Sequence, residues 1–323
     1  MWTTIGHRWA VQFLQRAIAT EHIAHTYLFV GPAHIGKTHL ALEMAAALNC
    51  TGQDPPCGTC QACIKTRQRI HPDVILVEPE GDHLKIAQVR QLQYELSLSP
   101  HEGRRRICII TDFQTATVEA ANALLKTLEE PPARVVIILT ATDTHLLLPT
   151  IVSRCQIVPL WAVPAEEIAR ALVERWQERP ERARLIARLS AGRVGWAIQA
   201  IQEPTLLADR QERVETFFHL LAARQAERMR LAEKESQQEK LAESIRLWQG
   251  VWRDLLLLQK GCEELTVNSD FTKPLQELAS KLPSTVVEEA IRATERALQQ
   301  LAQNANPRLV MEVLFLGWPH AKP

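Results

Sequence analysis

The chain lacks an excess of charge of either sign, because its 37 lysine and arginine residues balance 37 aspartate and glutamate residues. Because the net charge is zero, the molecule as a whole is not attracted electrostatically to nucleic acid or to an anionic membrane. Any DNA contact must therefore come from a local basic patch or be shared with partner chains. Apolar runs of membrane-spanning length are absent, and the N-terminal segment has no long apolar stretch after a basic start. These absences argue against a membrane or secreted protein and predict a cytoplasmic one.

The chain also lacks the even, dispersed set of cysteines that a disulfide framework needs, because its total of seven is odd and four of the seven are crowded together. The segment CTGQDPPCGTCQAC contains two overlapping C-x-x-C units after a further cysteine, with Pro55, Pro56 and Gly58 to form turns. Four thiolates at this spacing can reach one tetrahedral Zn²⁺, whereas a redox C-x-x-C pair would leave two cysteines unexplained. Because protein atoms would fill all four positions, the zinc would be structural rather than catalytic. The predicted ligands are Cys50, Cys57, Cys60 and Cys63.

Short apolar runs alternate with helix-period stretches in the first half of the chain, and the strand signal stops after about Pro159. This alternation predicts an α/β domain on a mostly parallel sheet, and the uniformly apolar runs predict strands covered by helices on both faces. The rest of the pattern is helical, with no fixed-period repeat. The predicted strands are TYLFVG, DVILVEP, RICIIT, RVVIILTA and QIVPL. The predicted domains are an α/β domain at 1–160, a small three-helix domain at 161–203 and an all-helical domain at 204–323.

The helical half contains an amphipathic stretch that reaches Gln259 and carries the mixed-charge segment AARQAERMRLAEKESQQEKLAES. Charges of both signs at helical spacing predict a solvated helix face for this segment. Two apolar faces, LWQGVWRDLLLL (247–258) and RLVMEVLFLGW (308–318), suit burial either in the domain's own core or in an interface with another chain.

The octapeptide GPAHIGKT (31–38) lies between the first predicted strand and a predicted helix, and it matches the phosphate-binding pattern G-x-x-x-x-G-K-[ST]. Gly31 and Gly36 would let backbone N–H groups face a phosphate. Lys37 would reach the β- and γ-oxygens, and Thr38 would hold Mg²⁺. A chain of this length meets the pattern by chance in roughly one case in a hundred at average residue usage. The loop is therefore predicted to descend from a nucleotide-binding site. The cofactors that such a site would take are ATP and Mg²⁺.

Hydrolysis needs more than this loop, because a carboxylate on a later strand must help to hold Mg²⁺ and another group must orient the attacking water. The strand RICIIT ends at Thr111 and Asp112, so it offers one carboxylate and no acidic pair. Asp112 has two interpretations: it is a metal ligand, or it caps a helix that begins near Ala116.

Two basic features also have two interpretations each, and in both cases the purely structural one is favoured. Arg154, in the tripeptide SRC, is either an ordinary surface residue or a guanidinium that stabilises phosphoryl charge on a neighbouring subunit. The run GRRRI (103–107) either touches DNA phosphate or simply flanks a strand.

Four segments together resemble the AAA+ clamp loader of bacterial DNA polymerase III: HTYLFVGP with GKT, the four-cysteine insertion, NALLKTLEEPP (122–132) and LPTIVSRC (148–155). The resemblance covers about residues 1–200 at the level of motifs. It implies an AAA+ domain, a helical lid and a helical collar that holds a pentameric ring together. It also implies a role in DNA replication, with the other loader subunits (gamma/tau and delta), the sliding clamp, and primed DNA reached through the complex as partners.

Two subunits of that family carry these motifs, the gamma/tau motor and the non-motor delta prime subunit, and departures from the motor pattern separate them. Counted back from Asn122, the place of the motor's Mg²⁺-binding Asp falls on Thr111, and that of its catalytic Glu falls on Asp112. The place of the motor's second-sensor arginine falls on Gly195, and the nearby Arg193 lies two residues before that place. This resemblance favours the delta prime pattern.

By that resemblance, the chain assists a neighbour's site rather than hydrolysing ATP itself. Arg154 would act in trans on ATP held by an adjacent motor subunit, and Thr142, with Thr140 as a second choice, would take the place of the first sensor. The chain also ends at Pro323 without a tau-type extension. Two alternatives remain at this stage: the gamma/tau motor itself, with Asp112 as its only carboxylate, and an unrelated zinc-containing P-loop switch protein.

Overall fold

The structure is a computed structural model that describes residues 1–238 and 240–321, so Glu239 and residues 322–323 of the predicted C-terminal domain lie outside the described residues. The chain forms two compact units, the first made of residues 1–177 and 192–196, the second of residues 178–191 and the chain from residue 197 onward. This boundary runs through the segment predicted as a separate three-helix domain, and the three-domain division stays a prediction. None of the helices in the described part combines the length and apolar character needed to span a bilayer.

The first unit is built on one parallel sheet of five strands, and each strand coincides with an apolar run predicted to form one. The strands are β1 (Thr26–Val30), β2 (Val74–Val77), β3 (Arg106–Ile110), β4 (Val135–Ala141) and β5 (Gln156–Pro159). Their order across the sheet is β2-β3-β4-β1-β5, and β1 pairs with β4 from Thr26 opposite Ile137 to Val30 opposite Ala141. Every residue of β3 and β4 is buried, as expected for central strands that are rich in β-branched residues and covered on both faces.

Helices cover both faces of this sheet, which confirms the predicted α/β class. The helices of the first unit are α1 (Arg8–Ala19), α2 (Lys37–Leu48), α3 (Gln61–Arg67), α4 (Ile86–Ser97), α5 (Val118–Glu129), α6 (Pro149–Val152) and α7 (Ala165–Trp176). Phe29 and Ile138 pack with α1 and α2 on one face, whereas Leu28 and Ile137 pack with α4 and α5 on the other. Successive side chains of a strand point to opposite faces, so neighbouring residues enter different cores.

The parallel strand direction decides where the predicted site residues meet. The carboxyl ends of β1, β3 and β4 share one edge of the sheet, and the loop 31–38, Asp112 and Thr142 follow these ends directly. Ligands of open α/β sheets bind at this edge. The amino ends of the same strands, with residues 104–105 and Arg134 just before them, form the opposite edge.

The second unit contains only helices among its described residues, and its core is built around two fully buried tryptophans. The edge-to-face contact of Trp252 with Phe217 has 4.9 Å between ring centroids, and that of Trp248 with Phe315 has 5.5 Å. The apolar face 247–258 is therefore largely buried in the unit's own core. The helices are α8 (Pro180–Leu189), α9 (Val194–Gln202, which begins in the first unit), α10 (Thr205–Ala222), α11 (Gln225–Ser236), α12 (Leu241–Gln259), α13 (Thr272–Lys281), α14 (Ser284–Ala302) and α15 (Pro307–Gly317).

The mixed-charge segment is not solvated throughout, and in this respect the sequence prediction is wrong at Arg228. This arginine of α11 is 4% exposed, and its guanidinium donates to the carbonyl oxygens of Phe315, Trp318 and Pro319 at 3.0, 2.5 and 2.8 Å. The last carbonyls of a helix have no partner within the helix, and Arg228 supplies one at the end of α15.

Candidate nucleotide and metal sites

The loop 31–38 joins β1 to α2, as the phosphate-binding pattern requires. The N–H of Gly31 donates to the carbonyl oxygen of Ala141 at 3.1 Å, and a Cβ on Gly31 would lie 2.3 Å from the Leu160 oxygen, so only glycine fits. Gly36 has a φ of 109°, a conformation that side chains disfavour. Packing thus requires glycine at position 31 and the backbone conformation favours it at position 36, while the phosphate contacts of this loop stay a prediction.

Lys37 is buried, and its ammonium group bonds within the loop itself. Its Nζ donates to the carbonyl oxygens of Gly31 at 2.8 Å and Pro32 at 2.9 Å. Burial lowers the pKa of Lys37, and the nearby charge of Asp112 opposes that shift. Thr38 is half-buried beside it as the second residue of α2. The structure therefore brings the loop lysine and the one strand-end carboxylate together at the same edge.

Asp112 follows β3 in a left-handed conformation with a φ of 45°, which residues other than glycine seldom adopt. Its backbone N–H donates to Thr140 Oγ1 at 3.0 Å, and its Oδ1 accepts a bond from Gln114 Nε2 at 3.2 Å. The backbone N–H of Thr142 donates to Gln114 Oε1 at 3.3 Å. Gln114 therefore links the carboxylate to the candidate sensor threonine, a role that no sequence pattern signals.

The predicted capping role of Asp112 is wrong. The helix expected to begin near Ala116 begins at Val118, and its cap is Thr117, whose Oγ1 accepts the N–H of Ala120 at 3.2 Å. A short turn at 113–115 separates Asp112 from this helix. The carboxylate therefore does not cap this helix, and its charge acts on the loop lysine instead.

Thr111, which by resemblance was expected at the place of the motor's Mg²⁺-binding carboxylate, is buried and bonded to the neighbouring strand. Its N–H donates to the carbonyl oxygen of Val77 at 3.0 Å, and its Oγ1 lies 3.5 Å from the same oxygen. A hydroxyl offers Mg²⁺ no negative charge, so Asp112 alone remains as an anionic ligand from this strand.

The tip of the loop is held from two sides. The N–H of Gly195 donates to the carbonyl oxygen of His34 at 2.7 Å, and a Cβ on Gly195 would lie 2.8 Å from that oxygen. His7 Nε2 donates to the carbonyl oxygen of Ile35 at 3.0 Å, and burial lowers the pKa of His7. Position 195 therefore has no room for a side chain without movement of the loop backbone, which the sequence alone did not reveal.

The two arginines considered for phosphoryl contacts have defined partners. Arg154 follows α6 on the surface, where its Nη2 lies 2.5 Å from Glu129 Oε1 and its Nη1 donates to the Thr150 carbonyl oxygen at 2.9 Å. The guanidinium of Arg193 lies over the ring of Trp196, 5.7 Å from its centroid. Arg154 therefore presents its guanidinium as part of an exposed ion pair.

The four predicted zinc ligands do come together. Their Sγ atoms all lie within 4.8 Å of one another, with Cys50 and Cys63 buried and Cys57 and Cys60 half-buried. Backbone N–H groups of Gly52 and Cys57 donate to Cys50 Sγ at 3.3 Å, as they would to a thiolate. Backbone hydrogen bonds also lower the pKa of Cys57 to about 5, whereas burial raises that of Cys63 to about 12.

This donor set fits a tetrahedral metal ion. In a tetrahedral Zn²⁺ site with Zn–S bonds of about 2.3 Å, the sulfurs are about 3.8 Å apart. The Sγ atoms of Cys50 and Cys60 are 3.9 Å apart, and only small movements would bring the other pairs to that value. A cation also reverses the effect of burial on thiols, because it stabilises the thiolate directly. The cluster can therefore hold a metal ion, and its thiolate chemistry favours zinc.

Known protein families match this chain in two separate regions. A family model described as DNA polymerase III, delta subunit, matches residues 6–164, and the model of its C-terminal part matches residues 204–320. DNA polymerase III subunit delta′ of Bacillus subtilis is 30% identical over 315 residues, which are 95% of this chain and 94% of the relative.

Similarity extends to a second type of subunit. DNA polymerase III subunit tau of Salmonella typhimurium is 32% identical over 214 residues, 64% of this chain but only 33% of tau. A solved structure of a gamma subunit-related protein from Thermotoga maritima is 22% identical, with a TM-score of 0.47 and coverage of 95% of this chain and 97% of that one.

Proposed function

The chain belongs to the family of DNA polymerase III subunit delta′, and from this premise we propose that it acts as a non-motor subunit of the clamp loader. In this role it binds the gamma/tau and delta subunits, helps to place the sliding clamp on primed DNA in the cytoplasm, and contributes Arg154 to a neighbour's ATP site. Membership of the family excludes the alternative of an unrelated zinc-containing P-loop switch protein.

The contact between Gly195 and His34 is the observation that carries this proposal. A motor subunit of the resembled type needs a long cationic side chain at this place to reach the γ-phosphate. Here even a methyl group would lie 2.8 Å from a backbone oxygen. With Thr111 in place of a carboxylate as well, Asp112 alone remains as an anionic Mg²⁺ ligand from β3, and no second-sensor arginine joins Lys37 at the transferred phosphate.

The exposed position of Arg154 supports an action on a neighbouring subunit. Its side chain is 35% exposed, and its partner Glu129 is 50% exposed. An ion pair so open to water is worth only about 0–1 kcal/mol. A γ-phosphate carries more charge than a carboxylate and takes two parallel bonds from a guanidinium, so it can displace Glu129. The ion pair then keeps the arginine in place until a nucleotide arrives.

We propose in addition that Cys50, Cys57, Cys60 and Cys63 hold one Zn²⁺. The ion would cross-link the loop 50–60 to the start of α3 and would take no part in chemistry, because no coordination position is left for water. Reduced thiols of this kind agree with the cytoplasmic location predicted from the sequence.

The last helix supports a role of the second unit in oligomerisation. Leu309, Val313 and Leu316 are 59%, 71% and 45% exposed, and their spacing places them on one face of α15. The buried residues of the same helix, including Met311 and Phe315, point into the core of the unit. An apolar stripe left open to water marks an interaction surface, as expected for a collar.

The test compares three variants in a loader reconstituted from purified subunits. Arg154→Ala should slow ATP hydrolysis at the neighbouring subunit's site by about a thousandfold, which is the lower end of the rate increase that an arginine finger provides. Lys37→Met, which keeps the buried volume, should leave the ATPase activity of the loader unchanged. Arg170→Ala, at an exposed arginine of α7, is the matched control. Loss of loader ATPase with Lys37→Met would instead identify the chain as the gamma/tau motor.

A further inference from the structure

A cavity of about 630 Å³ lies at the amino-end edge of the sheet, away from the phosphate-binding loop. It is bounded by residues just before β1, β3 and β4, by the end of α1 and α2, and by the cysteine module. Ligand pockets have volumes of about 300–1,000 Å³, so this one has room for a molecule of nucleotide size. Neither the phosphate-binding loop nor the proposed arginine finger contributes to it.

Three arginines line this cavity: Arg104, Arg105 and Arg134. Within residues 1–238 and 240–321, none of their guanidinium groups forms an ion pair or a hydrogen bond. Their neighbour Arg106 differs, because it is buried in β3 and pairs with Asp73 at 3.1 Å. Of the run GRRRI, Arg106 therefore serves the fold, whereas the other two arginines present unpaired charge to a cavity.

The backbone of this arginine loop is fixed in advance. Asn49, 2% exposed, accepts the N–H of Arg105 through Oδ1 at 2.9 Å and donates to the Arg105 carbonyl through Nδ2 at 3.0 Å. The fully buried carboxylate of Asp73 accepts the N–H groups of residues 101–103 at 2.7–2.8 Å. A ligand would therefore not have to order the loop, which lowers the entropy cost of binding.

The rest of the lining is mixed. Ile18, Ile23 and Leu48 supply apolar surface, and the carboxylates of Glu21 and Asp54 face the same space. Three cations and two anions leave one net positive charge. A phosphate on the guanidinium groups, a flat base on the apolar side chains, and base or sugar donors on the carboxylates would satisfy all three kinds of surface.

We propose that this cavity binds a nucleotide unit through its phosphate, as a free nucleotide or as part of a single DNA strand. Carboxylate ligands such as acidic peptides would bind the arginines equally well but would leave the apolar surface unused. The inference does not rest on the proposed function, because the isolated chain contains the whole cavity.

The test measures fluorescence anisotropy of a labelled oligothymidylate with the full-length chain at low salt. The double variant Arg104→Gln/Arg134→Gln should weaken binding by at least about tenfold, since each charge-assisted bond is worth more than a neutral one. The dependence of log K on log salt should also become shallower by about 1.4, or 0.7 for each lost phosphate contact. Arg246→Gln/Arg296→Gln, which removes two exposed arginines of the second unit, is the matched control and should change neither value.

Competition then identifies the source of the phosphate. Displacement of the oligonucleotide by thymidine monophosphate indicates a free nucleotide, and displacement only by unlabelled strands indicates DNA. Equal binding by the cavity variant and the control variant would overturn the proposal. So would displacement by polyglutamate as effective as that by an unlabelled strand, because it would show that only charge is recognised.

Discussion

Replacement of Gly195 by alanine tests whether the phosphate-binding loop is closed by direct packing. The new Cβ would lie 2.8 Å from the His34 carbonyl oxygen, closer than Cβ atoms approach other atoms in real structures. Both atoms that would clash are near or in the backbone, so no side-chain rotation can relieve the contact. Overpacking costs about 1–3 kcal/mol, and loss of the 2.7 Å hydrogen bond from the Gly195 N–H adds about 1 kcal/mol. The free energy of unfolding of the first unit should fall by about 2–4 kcal/mol.

Gly250 is the matched control for this substitution. It lies inside α12, and a Cβ there would meet no heavy atom within 4 Å apart from its chain neighbours and the nearby backbone of its own helix. Gly250→Ala should stabilise the second unit by about 0.5–1 kcal/mol, because alanine loses less entropy than glycine in a helix. Pulse proteolysis in urea, with peptides assigned by mass, reports on each unit separately. If both substitutions shift the unfolding midpoints in the same direction, the loop is not packed against Gly195 as described.

Other expected outcomes follow from the buried polar groups and the cysteine cluster. Burial raises the pKa of Asp73, but four hydrogen bonds to its carboxylate together outweigh burial and hold the pKa at about 2, against an ordinary 3.8. Its contribution of about 2 kcal/mol should therefore be complete above pH 4 and lost as the pH falls through 2, and acid unfolding of Asp73→Asn should show a flatter pH dependence. Arg228→Met should lower the free energy of unfolding of the second unit by about 2–4 kcal/mol in urea, since it leaves several buried carbonyls unpaired, and a loss below 0.5 kcal/mol would refute that role. Metal analysis should find about one zinc per chain, which Cys60→Ala removes and Cys262→Ala retains; equal zinc in the two variants would rule out the cluster as the site.

Much of the first unit could be predicted from the sequence because its signals are local and repeated. Each apolar run formed a strand, and the spacing of the cysteines was enough to place four sulfurs within 4.8 Å. The phosphate-binding loop likewise depends on residues adjacent in the chain. Turns were harder to predict: the helix expected near Ala116, with Asp112 as a possible cap, begins at Val118 and is capped by Thr117.

Features that depend on distant residues could not be predicted. Arg228 was assigned to a solvated face because its partners, the carbonyl groups at the end of α15, lie 87 and 90 residues further along the chain. Nothing near Arg228 in the sequence reveals that these carbonyl groups need a donor. The closure of the loop by Gly195 has the same origin, since the two partners are far apart in the chain. The arginine cavity joins the starts of three strands with the cysteine module, and only the sheet order shows that they are neighbours.

The central claim is that this chain does not drive its own phosphate cleavage and that its useful charge acts on a neighbour. The most direct measurement is ATP turnover by the purified chain alone, with Mg²⁺ and primed DNA present. We expect no turnover above that of a Lys37→Met variant prepared in the same way. Hydrolysis by the isolated chain at the rate of a motor subunit, lost in that variant, would contradict the claim.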